Sequence, residues 1–223
     1  MTNPGKAPRN STAVCATVLL GILLGFGSHR AAAAPVSSNI ISVSQAKNTS
    51  VPVSGKLVKA FAVSDKAGKH LLLLTTRTGP SRNASRGKDE RTDLNASLYI
   101  QRTGKWVREW AIQDAVDCPG LDHAAGFFVD QVTVTDLDSN GTAEITVPYK
   151  LFCGGGIDPA TLKIILRQGD HKFAVRGTTR IEVSGDAPFG GEAVFDESLS
   201  RPENAVFKKH LESIRAKVLV QKY

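Results

Sequence analysis

The chain has 223 residues, 22% of them charged and 41% hydrophobic. That composition excludes a chain disordered throughout, and the length suits one domain or two small ones. The formal charge of +7 at first suggests a polyanion partner, but the N-terminus accounts for much of it.

Lys6 and Arg9 precede an apolar run, Ala13 to Gly27, which is followed by Ser28-His29-Arg30 and the small residues Ala31 to Ala34. Charge, apolar core and an A-x-A site in that order predict a secretory signal peptide over residues 1–33, cut after Ala33. The run falls short of the ~20 apolar residues of a transmembrane helix, although an uncleaved anchor is the alternative. Cys15 lies inside the run, which argues against a lipoprotein anchor. Cleavage removes Lys6, Arg9 and Arg30 but no acid, so the net charge drops from +7 to +4. That mild excess gives no case for nucleic acid. The chain is expected in the periplasm or outside the cell, with no membrane span after cleavage.

Cleavage also leaves two cysteines, Cys118 and Cys153. An even pair in an exported protein reads as a disulfide, here closing a loop worth about 4 kcal/mol. A reactive thiol or metal ligand is the rival, but no C-x-x-C and no His at metal-like spacing supports it.

Residues 34–55 read as an extended linker with a first edge strand, and residues 56–223 as a single mostly-β domain. Leu57–Val63 and Leu71–Thr76 flank the turn Asp65-Lys66-Ala67-Gly68. Residues 77–93 are polar and form a long loop. Its bases outnumber its acids, so it is either a solvated loop or a contact for an anionic glycan. Ser97–Gln101 and Trp106–Gln113 flank Thr103-Gly104-Lys105, and Leu162–Arg167 and Lys172–Ile181 flank Gln168-Gly169-Asp170. Each pair predicts a hairpin. In the run before Leu151, Ile145, Val147 and Tyr149 alternate with Glu144, Thr146 and Pro148, the pattern of a half-buried antiparallel strand. Pro148 places that strand at an edge or marks a break in its pairing. Phe207, Leu211, Ile214 and Val218 then recur at helical spacing over residues 201–219, with Ser200-Arg201-Pro202-Glu203 as a capping box. The fold class is therefore mainly β: an antiparallel sandwich or open barrel with one C-terminal amphipathic helix.

The segment with the most chemistry is Asp136-Leu137-Asp138-Ser139-Asn140-Gly141-Thr142-Ala143-Glu144. Oxygen side chains stand at positions 1, 3, 5 and 9, and glycine at position 6. Such a loop can wrap hard oxygen ligands around calcium, with Asp136, Asp138, Asn140 and Glu144 giving side-chain oxygens and Thr142 a carbonyl. It is not an EF-hand, because strands flank it and Val147 stands where that motif has Glu. The competing reading is a plain turn, since Asn140-Gly141 between alternating strands is a strong hairpin signal. Two points favour an ion. Three acids within nine residues repel unless a cation sits among them. Asp136 and Asp138 would also point coreward if the preceding strand continued.

Other features are less specific. Trp106 and Trp110 read as core aromatics, and Gly154-Gly155-Gly156 as a turn away from Cys153. Asp114, Asp117, Asp122, Asp130 and Asp158 offer no fixed carboxylate pair for hydrolysis. His70, His123, His171 and His210 are scattered, with no G-x-S-x-G to anchor a triad.

Several blocks stand in order along the chain: Trp106 to Asp114 as W-x-x-x-W-x-I-x-D, Asp117-Cys118-Pro119, Val134 to Gly141 with Glu144, Tyr149 and Cys153, Asp158-Pro159, Lys172 to Gly177, Gly190-Gly191-Glu192 and Phe195-Asp196. Over about residues 95–210 the chain resembles a family of exported bacterial proteins associated with surface polysaccharide biosynthesis. The resemblance implies a role in the cell envelope, with envelope polysaccharide or its assembly machinery as partner. It implies no settled reaction and brings no catalytic residues. The family carries the acidic loop and both cysteines, matching Asp136–Glu144 and Cys118/Cys153. It has a polar or acidic stretch after the second cysteine where this chain has Gly154-Gly155-Gly156, which puts a ligand role there in doubt. The leading expectation is a non-enzymatic envelope protein with a structural Ca²⁺. A glycan hydrolase using acidic residues and a disulfide-bonded inhibitor of a secreted enzyme are the alternatives.

Overall fold

A computed structural model describes residues 1, 2, 5, 35–81 and 90–223. Every element below lies in one compact unit, residues 33–223. The expected signal segment and its cut after Ala33 fall outside the described residues, as does the basic stretch 82–89.

The unit is mainly β, built largely from antiparallel sheets that do not close. The first sheet takes β1 (Ser37–Ile40), β2 (Lys56–Asp65), β3 (Gly68–Pro80), β4 (Glu90–Arg102) and β5 (Lys105–Cys118) in sequence order. A short helix α1 (Val43–Lys47) follows β1. The second sheet takes β6 (Asp122–Phe127), β7 (Thr133–Thr135), β8 (Glu144–Gly154), β9 (Thr161–Gln168) and β10 (His171–Thr178). A third, small sheet uses β11 (Arg180–Glu182) and β12 (Phe189–Gly190), while β13 (Ala193–Phe195) pairs back onto β10. Helix α2 (Ala205–Val218) leads to β14 (Val220–Lys222), which lies parallel to β11.

Local chemistry sets the hairpins. Thr103 (φ 46°) and Gly104 (φ 80°) are both left-handed, the requirement of a two-residue turn whose twist matches its strands. At the β2–β3 turn the Asp65 carboxylate accepts the Ala67 amide at 2.8 Å, so an Asx turn brings Asp65 opposite Gly68. The polar segment 77–93 is strand at both ends, since β3 runs to Pro80 and β4 starts at Glu90. The edge strand expected within residues 34–55 is β1, and the same segment also carries α1. Ser37–Ile40 pairs with β2, and α1 is closed by a capping box between Ser42 and Gln45.

Three layers follow from which faces are apolar. Phe61, Leu72, Leu94, Trp110 and Ile112 of the first sheet interlock with Ile145, Val147, Tyr149 and Ile165 of the second. The opposite face of the second sheet, through Leu162, Ile164, Leu166 and Phe173, receives Phe207, Leu211, Ile214 and Val218 of α2. Phe173 and Phe207 stack with centroids 5.0 Å apart. Both faces of β8 are therefore covered, and all six residues from Glu144 to Tyr149 are buried, a correction to the half-buried strand expected from alternation.

Pro148 is not at an edge, because β8 lies between β9 and the β6/β7 pair. Its pairing is interrupted instead. β6 ends opposite Tyr149, β7 begins opposite Thr146, and a 3₁₀ turn over Val129–Gln131 fills the gap. The Pro148 carbonyl accepts the Phe128 amide, so the side of Pro148 without a donor faces the break.

The C-terminal capping box does not form. Ser200 closes a preceding 3₁₀ turn and donates its hydroxyl to the Glu197 carbonyl at 2.6 Å. Pro202 then starts a second such turn before the helix begins at Ala205. Cys118 and Cys153 form a disulfide that ties the end of β5 to β8. No helix among the described residues is long and apolar enough to cross a membrane.

Candidate cation loop and polar groove

The loop between β7 and β8 closes where Thr135 faces Glu144, leaving eight residues, Asp136 to Ala143, outside the ladder. Asn140-Gly141 is thus not a two-residue hairpin turn. Gly141 (φ 77°) and Ser139 (φ 56°) supply the left-handed bends that curl the chain inward.

Asp136, Asp138 and Glu144 converge, with one carboxylate oxygen from each lying within 4.8 Å of the others. Asp136 accepts the Gly141 amide through both oxygens at 3.1 and 3.2 Å. Asp138 accepts the Asn140 side-chain amide at 2.8 Å, and the Asn140 carbonyl oxygen Oδ1 accepts the Thr142 amide at 2.7 Å. Asp138 is exposed rather than coreward, because strand geometry ends at Thr135 and the alternation ends with it. Asp136 is half-buried and Glu144 fully buried.

Glu144 accepts the Leu137 amide at 2.7 Å, the Thr135 hydroxyl at 3.1 Å and the Gln168 amide at 2.7 Å. Gln168 also donates to Asp138 at 3.0 Å, so it spans two of the three acids. Burial pushes the Glu144 carboxyl above the ordinary range, and the charges of Asp138 and Asp136 add to the rise. The Leu137 and Thr135 hydrogen bonds oppose this without overcoming it. Among the described residues no basic side chain pairs with any of the three acids.

The β2–β3 turn clamps this loop. Asp65 accepts the Ala143 amide at 3.0 Å, and the Lys66 main-chain amide donates to the Gly141 carbonyl at 2.9 Å. The Lys66 ammonium donates to the Asn140 carbonyl at 2.8 Å. Behind the clamp, His70 places Nε2 2.8 Å from Asp65 and Nδ1 2.9 Å from Glu109. Burial alone would lower the His70 pKa, but the two carboxylates outweigh it and raise it. Burial alone would raise Asp65, yet the Ala143 and Ala67 amides and His70 hold it below its ordinary value.

No sequence motif marks this cluster. Its members stand at positions 65, 70 and 109, and a register shift brings the last one in. Leu98 pairs with Trp110 but Tyr99 with Arg108, so Glu109 is a bulge. The bulge also puts Trp110 in the core between the sheets while Trp106 packs on the opposite face, although the two share parity.

On that outer face lies a groove of about 550 Å³. Thr75 and Arg77 of β3, Asn95 and Ser97 of β4, and Arg108 and Gln113 of β5 line it, with Tyr99 contributing an aromatic ring. Asp93 is ion-paired there to Arg91 at 2.8 Å. Asp114 accepts from Lys163 at 2.6 Å and from the Tyr149 hydroxyl at 3.0 Å. Burial would raise Asp114, but Lys163, the Ala115 amide and Tyr149 keep it below the ordinary carboxylate range.

Comparison with protein-family models, curated proteins and solved structures finds no significant match for this chain.

Proposed function

We propose that the chain is an exported protein of the cell envelope that binds glycan without turning it over, with Ca²⁺ pinning the 136–144 loop. The observation that carries the glycan reading is the groove on the outer face of the first sheet. Its hydroxyl, amide and guanidinium groups supply both donors and acceptors, as a polyhydroxylated ligand requires, and Tyr99 offers an apolar face. The disulfide fits an oxidising compartment. The resemblance over residues 95–210 supports envelope polysaccharide, or the machinery that assembles it, as partner.

Hydrolysis is the weaker reading. It requires one carboxyl held protonated near neutrality beside a second that is ionised. The groove's Asp93 and Asp114 are both paired with bases. Glu144, which does have a raised pKa, is fully buried in the loop.

For the cation, the donors are all oxygens: Asp136, Asp138 and Glu144, with the Asn140 side chain and the Thr142 carbonyl beside them. Such a set suits calcium rather than a softer metal. An ion there would supply the positive charge that the three carboxylates lack.

The glycan reading is tested by passing envelope polysaccharide over the immobilised oxidised protein. Retention without release of reducing ends is expected, and Asn95→Ala with Gln113→Ala should weaken it at least tenfold. Release of reducing ends would establish the hydrolase instead. Retention unchanged in the double variant would remove the groove from consideration.

A further inference from the structure

Among the described residues β5 hydrogen-bonds to β4 on one side only, and its other edge carries no strand. Beside that edge the second sheet extends outward through β9 and β10, and a cleft of about 450 Å³ lies between them. Lys163 and Arg167 of β9 and Lys172 and Arg176 of β10 line the cleft. Their register is unusual. Lys163 stands directly opposite Arg176, and Arg167 directly opposite Lys172. Like charges directly opposed across a ladder are destabilising, so two such pairs on one face, separated by Ile165 and Ala174, require compensation.

One pair has it. Lys163 is bonded to Asp114 at 2.6 Å, and Arg176 to Asp196. The other does not, since among the described residues neither Arg167 nor Lys172 forms an ion pair. Asp170 influences Arg167 only at longer range. The Arg167 guanidinium carbon lies 5.6 Å from the centroid of the Trp110 ring, held against the edge of the core. Its Nε is buried with no hydrogen-bond partner, and burial pulls its pKa down. A buried charged donor left without an acceptor costs stability, and a guanidinium held against an aromatic ring is a pre-oriented receptor for a planar or tetrahedral oxyanion.

We propose that this cleft binds an oxyanion, the carboxylate or phosphate group of a small ligand, between Arg167 and Lys172. The guanidinium fixes the orientation of the group and the exposed Lys172 ammonium completes its neutralisation. The already paired Lys163 and Arg176 set the positive field around it. The site does not rest on the glycan reading, although the cleft and the outer groove both reach Gln113 and Asp114.

The test is a titration of isotope-labelled, oxidised, full-length protein with sodium phosphate and, separately, with sodium galacturonate. Amide shifts are followed by NMR at fixed ionic strength, with sodium chloride as control. Saturable shifts confined to residues 111–114, 163–167 and 172–176 are expected with at least one probe. Saturation by one probe alone assigns phosphate or carboxylate, and saturation by both supports a general oxyanion site. Arg167→Gln should weaken binding at least tenfold and Lys172→Gln several-fold, while Lys69→Gln, an exposed change outside the cleft, should not. Should Arg167→Gln fail to fold, the exposed Lys172→Gln carries the test. Shifts that do not saturate with either probe, that chloride reproduces, or that persist unchanged in Lys172→Gln would overturn the proposal.

Discussion

Two clusters of carboxylates lie on either side of the same clamp, and they solve the same electrostatic problem differently. Asp65 and Glu109 enclose His70, whose ring bonds to both, so that cluster carries its own titratable base. Asp65 is accordingly held below its ordinary pKa and His70 above it. Asp136, Asp138 and Glu144 have amides and hydroxyls but no ion-paired base among the described residues, and Glu144 rises. Hydrogen bonds satisfy the lone pairs of a carboxylate without cancelling its charge. The first cluster pairs its acids with a base of the protein, and the second gathers three carboxylates that could hold a metal ion.

The largest expected effect comes from a bond outside both clusters, and it checks that they act independently. Replacing Cys118 and Cys153 with Ser should cost about 4 kcal/mol by chain entropy. The loss should be equal in calcium and in chelator when followed by denaturant unfolding. A loss that differed between the two conditions would mean that the disulfide, and not the acids, governs the loop.

Removing that base comes next. His70→Ala leaves Asp65 and Glu109 facing one another and should cost about 3 kcal/mol near neutral pH. A loss well below ~1 kcal/mol would erase the contrast between the two clusters.

The pH dependence sharpens the same point. Because the folded-state pKa of His70 is raised, its contribution is full below the unfolded value of about 6.5 and is lost as pH rises through the higher folded value. Wild-type stability should therefore fall relative to His70→Ala over the pH range above ~6.5. A flat difference there would show that His70 is not protonated in the fold.

The smallest effect belongs to Asp138, the exposed member of the acid loop. Asp138→Asn in chelator should stay within about 0.5 kcal/mol of wild type, yet it should shrink the stabilisation that calcium adds. Calorimetry in the two conditions separates these effects.

The first cluster was hidden in the sequence and the second was in plain view, for a physical reason. Asp136 to Glu144 is local, so spacing alone brings its acids together. Asp65, His70 and Glu109 meet only through the β2–β3 turn and a bulge in β5, and no period in the chain announces a bulge. The same distinction runs through the fold. Hairpin turns and the Phe207–Val218 helical face were legible because each is written within a few residues. The position of β8 in the sheet was not. Its alternation resembled one buried face, whereas α2, more than fifty residues later, covers the other. β6 was missed because Asp122–Phe127 has neither alternation nor branched residues and is held by its partner β8. The signal Ser200-x-x-Glu203 misled because Ser200 ends a separate 3₁₀ turn and the helix starts only at Ala205, after Asn204.

The most direct measurement of the central claim is thermal unfolding of the oxidised protein in calcium and in chelator, beside Asp136→Ala. At 100 times the dissociation constant, calcium should add about 2.7 kcal/mol, a rise of a few degrees for a domain of this size, and Asp136→Ala should lack that rise. An identical transition with and without calcium in the wild-type protein would contradict the account. The three carboxylates would then be held by hydrogen bonds alone.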